Sequence, residues 1–249
     1  MFKNEREQEI LQLLHLNGYM TVSDLSKQLF TSESSIRRNL TSLKKQGLVK
    51  RNYGGAELIA KNSQILPFST RADQNISEKH EIARKACRLI KDGDVIFLDS
   101  SSSVFFLADE LLKRTNITIV TNNVEVISLL SQSELEIISS GGRLSKETRS
   151  CFIGDDAVHC FSKIRADYAF FATKALASDG TLYDCNQEEV FVRTVMLANT
   201  ATKVYLCDTG KFNTYSTYKQ GTLKDVDYII TEKKPQDVSL EGFPNLTIL

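Results

Sequence analysis

The chain has 249 residues, of which 41% are hydrophobic and 25% are charged, and this is typical of a globular protein of one or two domains. Its 31 basic and 31 acidic side chains balance, so any affinity for nucleic acid must come from locally clustered charge rather than from the overall field. No apolar run approaches the roughly 18 to 20 residues that span a bilayer, and the charged start does not match a signal peptide, so we expect a cytoplasmic protein.

The first predicted element is an amphipathic helix over residues 4–16. Ile10, Leu13 and Leu14 fall on its inward face, and the outward face is polar. The pair Asn17-Gly18 is typical of a helix end. The helix is therefore expected to pack one side onto a small core.

The next segment has the pattern of a helix-turn-helix. A short helix that ends near Leu29, capped by Thr21 or Ser23, precedes a tight break at residues 30–32. A second helix then begins, and its apolar stripe consists of Ile36, Leu40 and Leu43. Two short helices joined by about three or four residues, the second basic on its outer face, are typical of DNA-binding proteins.

Positive charge is concentrated around this second helix and the segment after it. Residues 31–55 contain six lysines or arginines and one acid. The segment from Leu48 to Gly55 predicts a strand and a Gly-Gly hairpin turn, a wing that can lay basic side chains along phosphates. The candidate DNA-binding residues are Ser34, Ser35, Arg37, Arg38, Asn39, Thr41, Lys44, Lys45, Lys50 and Arg51. The alternative is a merely solvated helix face, but the preceding helix, the turn, the wing and the charge asymmetry agree on DNA binding.

These elements predict a winged helix-turn-helix domain over residues 1–57. Periodicity is then lost, and Pro67 argues against a helix through residues 58–76, which we interpret as a linker packed through Ile65, Leu66 and Phe68.

Residues 77–249 predict a second, α/β domain. Its first helix has Ser77 as the cap, and short apolar strands then alternate with helices, which implies a mostly parallel sheet with helices on both faces. The predicted strands are 95–99, 117–121, 135–139, 168–172, 203–207, 228–231 and 246–249. The predicted helices after the first are 104–112, the segment ending at Leu130, 150–162 and 188–201.

Polar side chains follow the carboxyl ends of these strands, where open α/β sheets bind ligands. The serine run after Asp99 adds hydroxyls at a helix N-terminus, which suits a phosphate, and the lysines would pair with an anionic ligand. The candidate effector-binding residues are Asp99, Ser100, Ser101, Ser102, Ser103, Asn122, Gly141, Gly142, Lys174, Glu189, Asp208 and Lys211. Any one of these loops is also explained by ordinary turn and cap chemistry; together they favour a small polar or anionic ligand.

The sequence contains neither G-x-G-x-x-G nor G-x-x-x-x-G-K-[ST], so neither route to nucleotide binding has support. The five cysteines are widely spaced without a C-x-x-C pair and are expected to be free thiols, and the three histidines lack metal-ligand spacing. We assign no catalytic residue, no metal ligand and no cofactor.

The chain resembles the DeoR family of bacterial transcriptional regulators over nearly its whole length. The family's recognition-helix signature, usually Thr-Ile-Arg-Arg-Asp-Leu, is similar to residues 35–40, and its wing is similar to Arg51 with Gly54-Gly55-Ala56. Other matches are Glu5-Arg6, Arg71, Glu78-Lys79, Ile82-Ala83, Asp92-Gly93-Asp94, Leu98-Asp99, Thr121-Asn122, Gly141-Gly142, Gly154, Ala166-Asp167, Glu189 and Lys211-Phe212.

The resemblance implies a winged helix-turn-helix followed by a sensor domain similar in fold to sugar-phosphate isomerases and CoA transferases. It also implies a homo-oligomer, dimer or tetramer, that represses sugar-use genes until a phosphorylated sugar binds. The sensor departs from the family pattern at Ser101, where a glycine is usual, in the loop 172–175, at Gly210 and at Arg193. In the recognition helix, Asn39 stands where the family has an acid, which adds a contact or removes a repulsion.

Three hypotheses follow. The first is a DNA-binding regulator, a repressor, controlled by a sugar phosphate or related metabolite. The second is a sugar-phosphate isomerase or transferase tethered to DNA, with acid–base candidates Asp99, Glu189, Asp208 and Lys211. The third is a regulator whose sensor no longer binds a ligand and serves only assembly.

Overall fold

The chain folds into two compact units, Met1–Gln64 and Ile65–Leu249. A computed structural model describes residues 3–17, 19–45, 48–58, 65–233, 243 and 245–249. None of the described helices has the length and apolarity that a transmembrane span requires.

The smaller unit is a winged helix-turn-helix, as predicted. Its elements are α1 (Lys3–Asn17), β1 (Tyr19–Thr21), α2 (Val22–Gln28), α3 (Glu33–Lys45), β2 (Val49–Asn52) and β3 (Gly55–Leu58). The three strands form an antiparallel sheet in the order β1-β3-β2. Strand β1 was not expected from the sequence, because three residues are too few to show an alternating pattern.

The core of this unit is built from the apolar positions that the helical spacing predicts. Ile10, Leu14, Leu25, Ile36 and Leu40 are all fully buried. The predicted cap of α2 is confirmed, since the Thr21 hydroxyl accepts a hydrogen bond from the Asp24 amide at 3.1 Å. The wing turns at Gly54, whose φ of 77° favours glycine. A Cβ at Gly55 would lie 2.3 Å from the Met20 carbonyl oxygen, so only glycine lets the wing approach β1 this closely.

The larger unit contains the remaining described elements. Its helices are α4 (Phe68–Ala72), α5 (Ile76–Cys87), α6 (Ser102–Leu111), α7 (Val124–Leu130), α8 (Asp155–Lys163) and α9 (Gln187–Ala198). The strands before α9 are β4 (Val95–Leu98), β5 (Thr118–Thr121), β6 (Glu136–Ser139), β7 (Arg143–Leu144), β8 (Phe152–Ile153), β9 (Ala166–Phe171), β10 (Ala175–Leu176) and β11 (Thr181–Asp184). The strands after α9 are β12 (Thr200–Leu206), β13 (Tyr218–Thr222), β14 (Tyr228–Ile230) and β15 (Thr247–Ile248).

A parallel sheet forms the centre of this unit, and within the described residues it has seven strands in the order β15-β14-β12-β9-β4-β5-β6. Alternate residues of each strand point to opposite faces, so Ile96 and Leu98 pack with α5, α6 and α7 while Phe97 packs with α8 and α9. The predicted α/β fold with helices on both faces is therefore confirmed.

Several local predictions differ from the structure. Ser77 is not the cap of α5; Asn75, with a left-handed φ of 52°, takes that position, and the Ser77 hydroxyl donates to Glu78 instead. Helix α8 begins at Asp155 rather than near residue 150, because 152–153 pair with β7 as a strand. Strands β10, β11 and β13 form a separate antiparallel sheet that the sequence pattern does not reveal.

The predicted linker, residues 58–76, crosses the boundary between the two units. Its first residue, Leu58, ends β3 of the smaller unit, and the part from Ile65 onward belongs to the larger unit. Helix α4 begins directly after Pro67, which occupies the N-cap position and so does not break it, and Phe68 is buried as expected.

Candidate functional site

Two groups of polar side chains are candidates for function, one in each unit. The first is the outer face of α3 together with the wing. Of the ten predicted DNA-binding residues, eight are exposed, Ser35 is partly exposed, and Asn39 is buried with 4% of its surface accessible. The polar face of α3 is therefore open to solvent, except where Asn39 turns inward.

The recognition face is tied to the wing by a short chain of hydrogen bonds. The Thr41 hydroxyl donates to the Arg37 carbonyl at 2.7 Å and accepts from the Arg51 guanidinium at 3.2 Å. Two further cations are partly neutralised, since Arg37 pairs with Glu33 at 2.9 Å and Lys50 lies 3.7 Å from Glu57.

Three cations of α3 are unpaired. Within the described residues, Arg38, Lys44 and Lys45 form no ion pair, and all three side chains are exposed. Unpaired exposed cations on one helix face can release counterions from DNA when they meet its phosphates. This face has the geometry and charge of a nucleic-acid interface.

The second candidate lies at the carboxyl edge of the parallel sheet. Asp99 follows β4, Asn122 follows β5, Thr173 and Lys174 follow β9, and Asp208 comes shortly after β12. These four strands are neighbours in the sheet, so their following loops meet at one edge, as the sequence predicts.

A buried ion-pair network anchors this edge. Arg193 of α9 donates from Nε to Asp99 at 2.8 Å, and from Nη1 to Asp184 at 2.8 Å and to Gln220 at 2.9 Å. Burial opposes the charge of Arg193, yet the carboxylates of Asp184 and Asp99 raise its pKa above the ordinary value. Asp99 also accepts from the amides of Ser101 and Ala172 and is therefore fully engaged within the protein.

The four serines that follow Asp99, residues 100–103, form the serine loop. Three of them have different contacts. Ser101 caps α6 by accepting from the Val104 amide at 3.3 Å. The Ser100 hydroxyl donates to the Glu189 carboxylate at 2.6 Å. Burial raises the pKa of Glu189 above its ordinary value, although the positive charge of Arg71 opposes this effect. Ser103 lies at the first turn of α6, with its hydroxyl 3.5 Å from the Lys211 ammonium.

Lys211 joins the serine loop to the end of β12. Its ammonium lies 3.5 Å from the Asp208 carboxylate, whose other oxygen accepts from Asn75 at 2.7 Å. Lys174 lies in the same region: burial lowers its pKa, and the nearby charge of Lys211 acts in the same direction. Within the described residues, Lys174 has no hydrogen bond or ion pair.

Arg71 is the residue that the sequence reasoning missed as a site residue. It lies in α4, inside the predicted linker, and its buried Nε and Nη2 atoms have no hydrogen-bond partner in the part of the chain that the structure describes. Its guanidinium lies over the Phe68 ring at 5.4 Å. A guanidinium with buried, unmet donors can bind an anion. In the sequence, only the match of Arg71 to the family pattern indicated that this residue is important.

The backbone that carries Arg71 is held by a buried lysine. Lys79, 3% exposed, donates to the carbonyls of Arg71 and Gln74, the latter at 2.5 Å. Burial, followed by the charge of Lys211, lowers the pKa of Lys79 to about 8. Lys79 thus fixes the segment that presents the Arg71 guanidinium.

Asn122, Gly141 and Gly142 have structural contacts on the β5–β6 side. Asn122 donates to the Phe152 carbonyl at 2.9 Å, and a Cβ at Gly142 would lie 2.8 Å from the Ile153 carbonyl oxygen. Gly141, by contrast, has open space around it. Within the described residues, no cluster of three acidic, histidine or cysteine side chains could hold a metal ion.

Family models match both units. A model described as the DeoR-like helix-turn-helix domain matches residues 6–62, and one described as the DeoR C terminal sensor domain matches residues 74–233. Among curated relatives, the L-fucose operon activator of Escherichia coli is 32% identical over 241 residues, covering 96% of this chain and 98% of its own.

Two named repressors are similarly related. The glycerol-3-phosphate regulon repressor of Escherichia coli is 29% identical over 236 residues, covering 94% of this chain and 93% of its own. The lactose phosphotransferase system repressor of Lactococcus lactis is 31% identical over 253 residues, covering 100% of this chain and 98% of its own. A solved ribose 5-phosphate isomerase from Methanocaldococcus jannaschii aligns with a TM-score of 0.41 and 19% identity over 54% of this chain and 53% of that chain.

Proposed function

Because the chain belongs to the DeoR family of transcriptional regulators, we propose that it represses genes of sugar use by binding an operator, and that a phosphorylated sugar relieves the repression. The relatives named above include an activator and two repressors, so the sign of regulation is part of the proposal. We further propose a cytoplasmic homo-oligomer, dimer or tetramer, as the working form.

The DNA contacts are assigned to the exposed face of α3 and to the wing. Arg38 takes the central role, since it is exposed and, within the described residues, unpaired. An arginine on a recognition helix can bind a phosphate or the O6 and N7 acceptors of guanine. Lys50 and Arg51 of the wing supply phosphate contacts, and Ser34, Ser35 and Thr41 supply lesser ones.

The effector is assigned to the carboxyl edge of the sheet, and the observation that carries this assignment is the unmet hydrogen-bonding capacity of Arg71. The first turn of α6 carries Ser103, whose hydroxyl lies next to the Lys211 ammonium. A helix N-terminus with two cations nearby favours a phosphate. The buried Glu189 and the hydroxyls of the serine loop can accept from and donate to the hydroxyls of a sugar.

We propose that this site binds its ligand without converting it. Asp99 and Asp208 are engaged in ion pairs and amide contacts, which leaves neither free to move protons. Glu189, whose pKa is raised by burial, and Lys211 are the remaining acid–base candidates. Steady conversion of a pentose or hexose phosphate, abolished by Lys211→Ala, would favour the isomerase alternative instead.

The test measures binding of the purified protein to a duplex that covers the region upstream of its own gene, at fixed salt, with a panel of sugar phosphates and the matching free sugars. We expect tight binding that one sugar phosphate releases and its free sugar does not. Tight binding that no sugar phosphate changes would contradict the effector assignment and favour a sensor used only for assembly. Weak binding that mixed-sequence DNA matches would contradict the operator assignment.

A matched pair of variants connects this result to the site. Lys211→Met removes the cation beside Ser103, and Lys113→Met removes an exposed lysine of the same unit. Only the first is expected to raise the sugar-phosphate concentration needed for release.

A further inference from the structure

The smaller unit contains a concave surface between α1 and α3, and the described residues that line it are all polar. Its volume is about 640 Å³ and it is open to solvent. The lining residues are Arg6, Ser35, Arg38, Asn39, Thr41, Ser42 and Lys45. We name this surface the α1–α3 cleft.

The cleft is positively charged. It holds Arg6, Arg38 and Lys45, and none of the described residues that line it is acidic. Asn39 is neutral and buried, so it adds hydrogen-bonding groups without charge. Three cations facing one concavity repel one another until an anion enters.

Arg6 gives the cleft an unmet donor. Among the described residues, its buried Nε has no hydrogen-bond partner and no carboxylate forms an ion pair with it. Leaving a charged donor unsatisfied away from water is unfavourable, so an arginine in this setting is stabilised by an anion from outside the chain. Arg6 lies in α1, so a DNA interface formed by α3 alone would not explain it.

We propose that the α1–α3 cleft holds a phosphate of the DNA backbone, with Arg6 as its ligand from α1. Helix α1 is then part of the DNA interface rather than only a support for α3. The inference rests on the proposed role of α3 in DNA binding, because Arg38 and Lys45 belong to both surfaces. An open cleft admits a continuous strand, and its position beside the recognition face suits a phosphate that flanks the groove read by α3.

The first experiment compares Arg6→Gln with Arg6→Lys and with Arg88→Gln, an exposed arginine of the larger unit. The probes are a duplex recovered by the protein from a random-sequence pool and a mixed-sequence duplex. We expect Arg6→Gln to weaken both roughly tenfold, because a phosphate contact carries no sequence information. The slope of log affinity against log salt should fall by about 0.9, the value for one lost phosphate. Arg6→Lys should keep the slope, and Arg88→Gln should change nothing.

A second experiment separates a contact from a structural role. One phosphate at a time is replaced by an uncharged methylphosphonate, and binding is measured for wild type and Arg6→Gln. We expect one position whose neutralisation weakens the wild type but not the variant. If Arg6→Gln only loosened the fold, every position would matter equally to both proteins, and the proposal would be overturned.

Two further outcomes are informative. If both Arg6→Gln and Arg38→Ala leave DNA affinity unchanged, the proposed role of α3 is wrong. If Arg38→Ala weakens binding while Arg6→Gln changes neither affinity nor slope, only the cleft assignment is wrong. Inorganic phosphate is then added at constant ionic strength against chloride. If the cleft holds a DNA phosphate, inorganic phosphate should compete with DNA more strongly than chloride does, and this additional competition should be lost in Arg6→Gln. An equal effect of phosphate on wild type and Arg6→Gln would contradict the assignment.

Discussion

Arg38 of the smaller unit is exposed and, within the described residues, has no ion-pair partner, whereas Arg193 of the larger unit is buried and contacts three side chains. Both are arginines on helices, but their surroundings differ, and we expect one to bind an external anion while the other forms internal ion pairs. Arg38 is exposed to water and is available to a polyanion that arrives from outside. Arg193 has exchanged water for Asp99, Asp184 and Gln220 and fixes the loops around it.

The difference shows where a ligand can bind. In the smaller unit the binding groups are exposed on one face, so affinity depends on salt and on matching a surface. At the carboxyl edge of the larger unit Arg193 pairs with Asp99 and Asp184, and Lys211 pairs with Asp208. Among the described residues of this region, Arg71 has buried donors without a hydrogen-bond partner. A small ligand is expected to bind where the internal pairing is incomplete.

Among the variants that test this difference between buried and exposed arginines, Arg193→Met is expected to have the largest effect, a loss of stability. Removing the guanidinium leaves Asp99 and Asp184 buried without their partner, which costs about 3–5 kcal/mol of unfolding free energy. The measurement is denaturant unfolding of the larger unit. Arg84→Met, which breaks the exposed pair with Glu81, should change stability by less than about 1 kcal/mol. Equal effects of the two variants would show that burial does not distinguish these pairs.

The next effect concerns the ligand. Arg71→Gln should raise the sugar-phosphate concentration needed for release by about 10- to 150-fold, since a charged hydrogen bond contributes about 1.5–3 kcal/mol. DNA affinity without the effector should stay at the wild-type value. The measurement is a titration of the protein–DNA complex with the active sugar phosphate. A shift in DNA affinity with no shift in release would assign Arg71 a structural role.

A smaller effect is expected at the recognition face. Arg38→Ala should weaken operator binding roughly tenfold, because it removes one phosphate or guanine contact, while the melting temperature stays unchanged. Fluorescence anisotropy at several salt concentrations provides the test. Unchanged affinity at every salt concentration would show that Arg38 does not contact DNA. The proposed difference in role between Arg38 and Arg193 would then be wrong.

The smallest effect is a dependence of stability on pH through Lys79. Burial holds its folded-state pKa at about 8, below the ordinary 10.5, so the unfolded chain binds the proton more tightly between these values. The free energy of unfolding therefore rises with pH between about 8 and 10.5 because of this residue, and Lys79 causes little change below pH 8. The unfolding free energy of wild type minus that of Lys79→Gln should rise by about 1 kcal/mol between pH 8 and 9. A constant difference over this interval would contradict the assignment.

The sequence was sufficient to predict the elements with strong periodicity. The stripe of Ile36, Leu40 and Leu43 defines α3, and the apolar runs at 95–98 and 118–121 are strands of the sheet. The convergence of polar loops also follows from the sequence, because parallel strands share a carboxyl edge. Strand β10 was missed because it has only two residues, and β11 because Thr181 and Asp184 at its ends interrupt any continuous apolar run.

What remained hidden depends on packing between distant residues. Arg193 was recognised only as a departure from the family's lysine, and its network with Asp99 and Gln220 joins residues 94 and 27 positions apart. Arg71 was part of a predicted linker, and only its position in the folded unit reveals its unmet donors. Asn39 was assigned to the DNA-reading face, but its buried side chain shows how a polar residue can lie at the edge of an apolar stripe.

The position of α4 also has a consequence for protein engineering. Regulators of this architecture invite modular exchange, in which a sensor is fused to a foreign reader of DNA. A junction placed at the start of α5 would remove Arg71 and Asn75, and with them the Asn75 contact to Asp208, from the transplanted sensor. The transferable module therefore begins at Ile65, and a biosensor built from this chain should keep every residue from there onward.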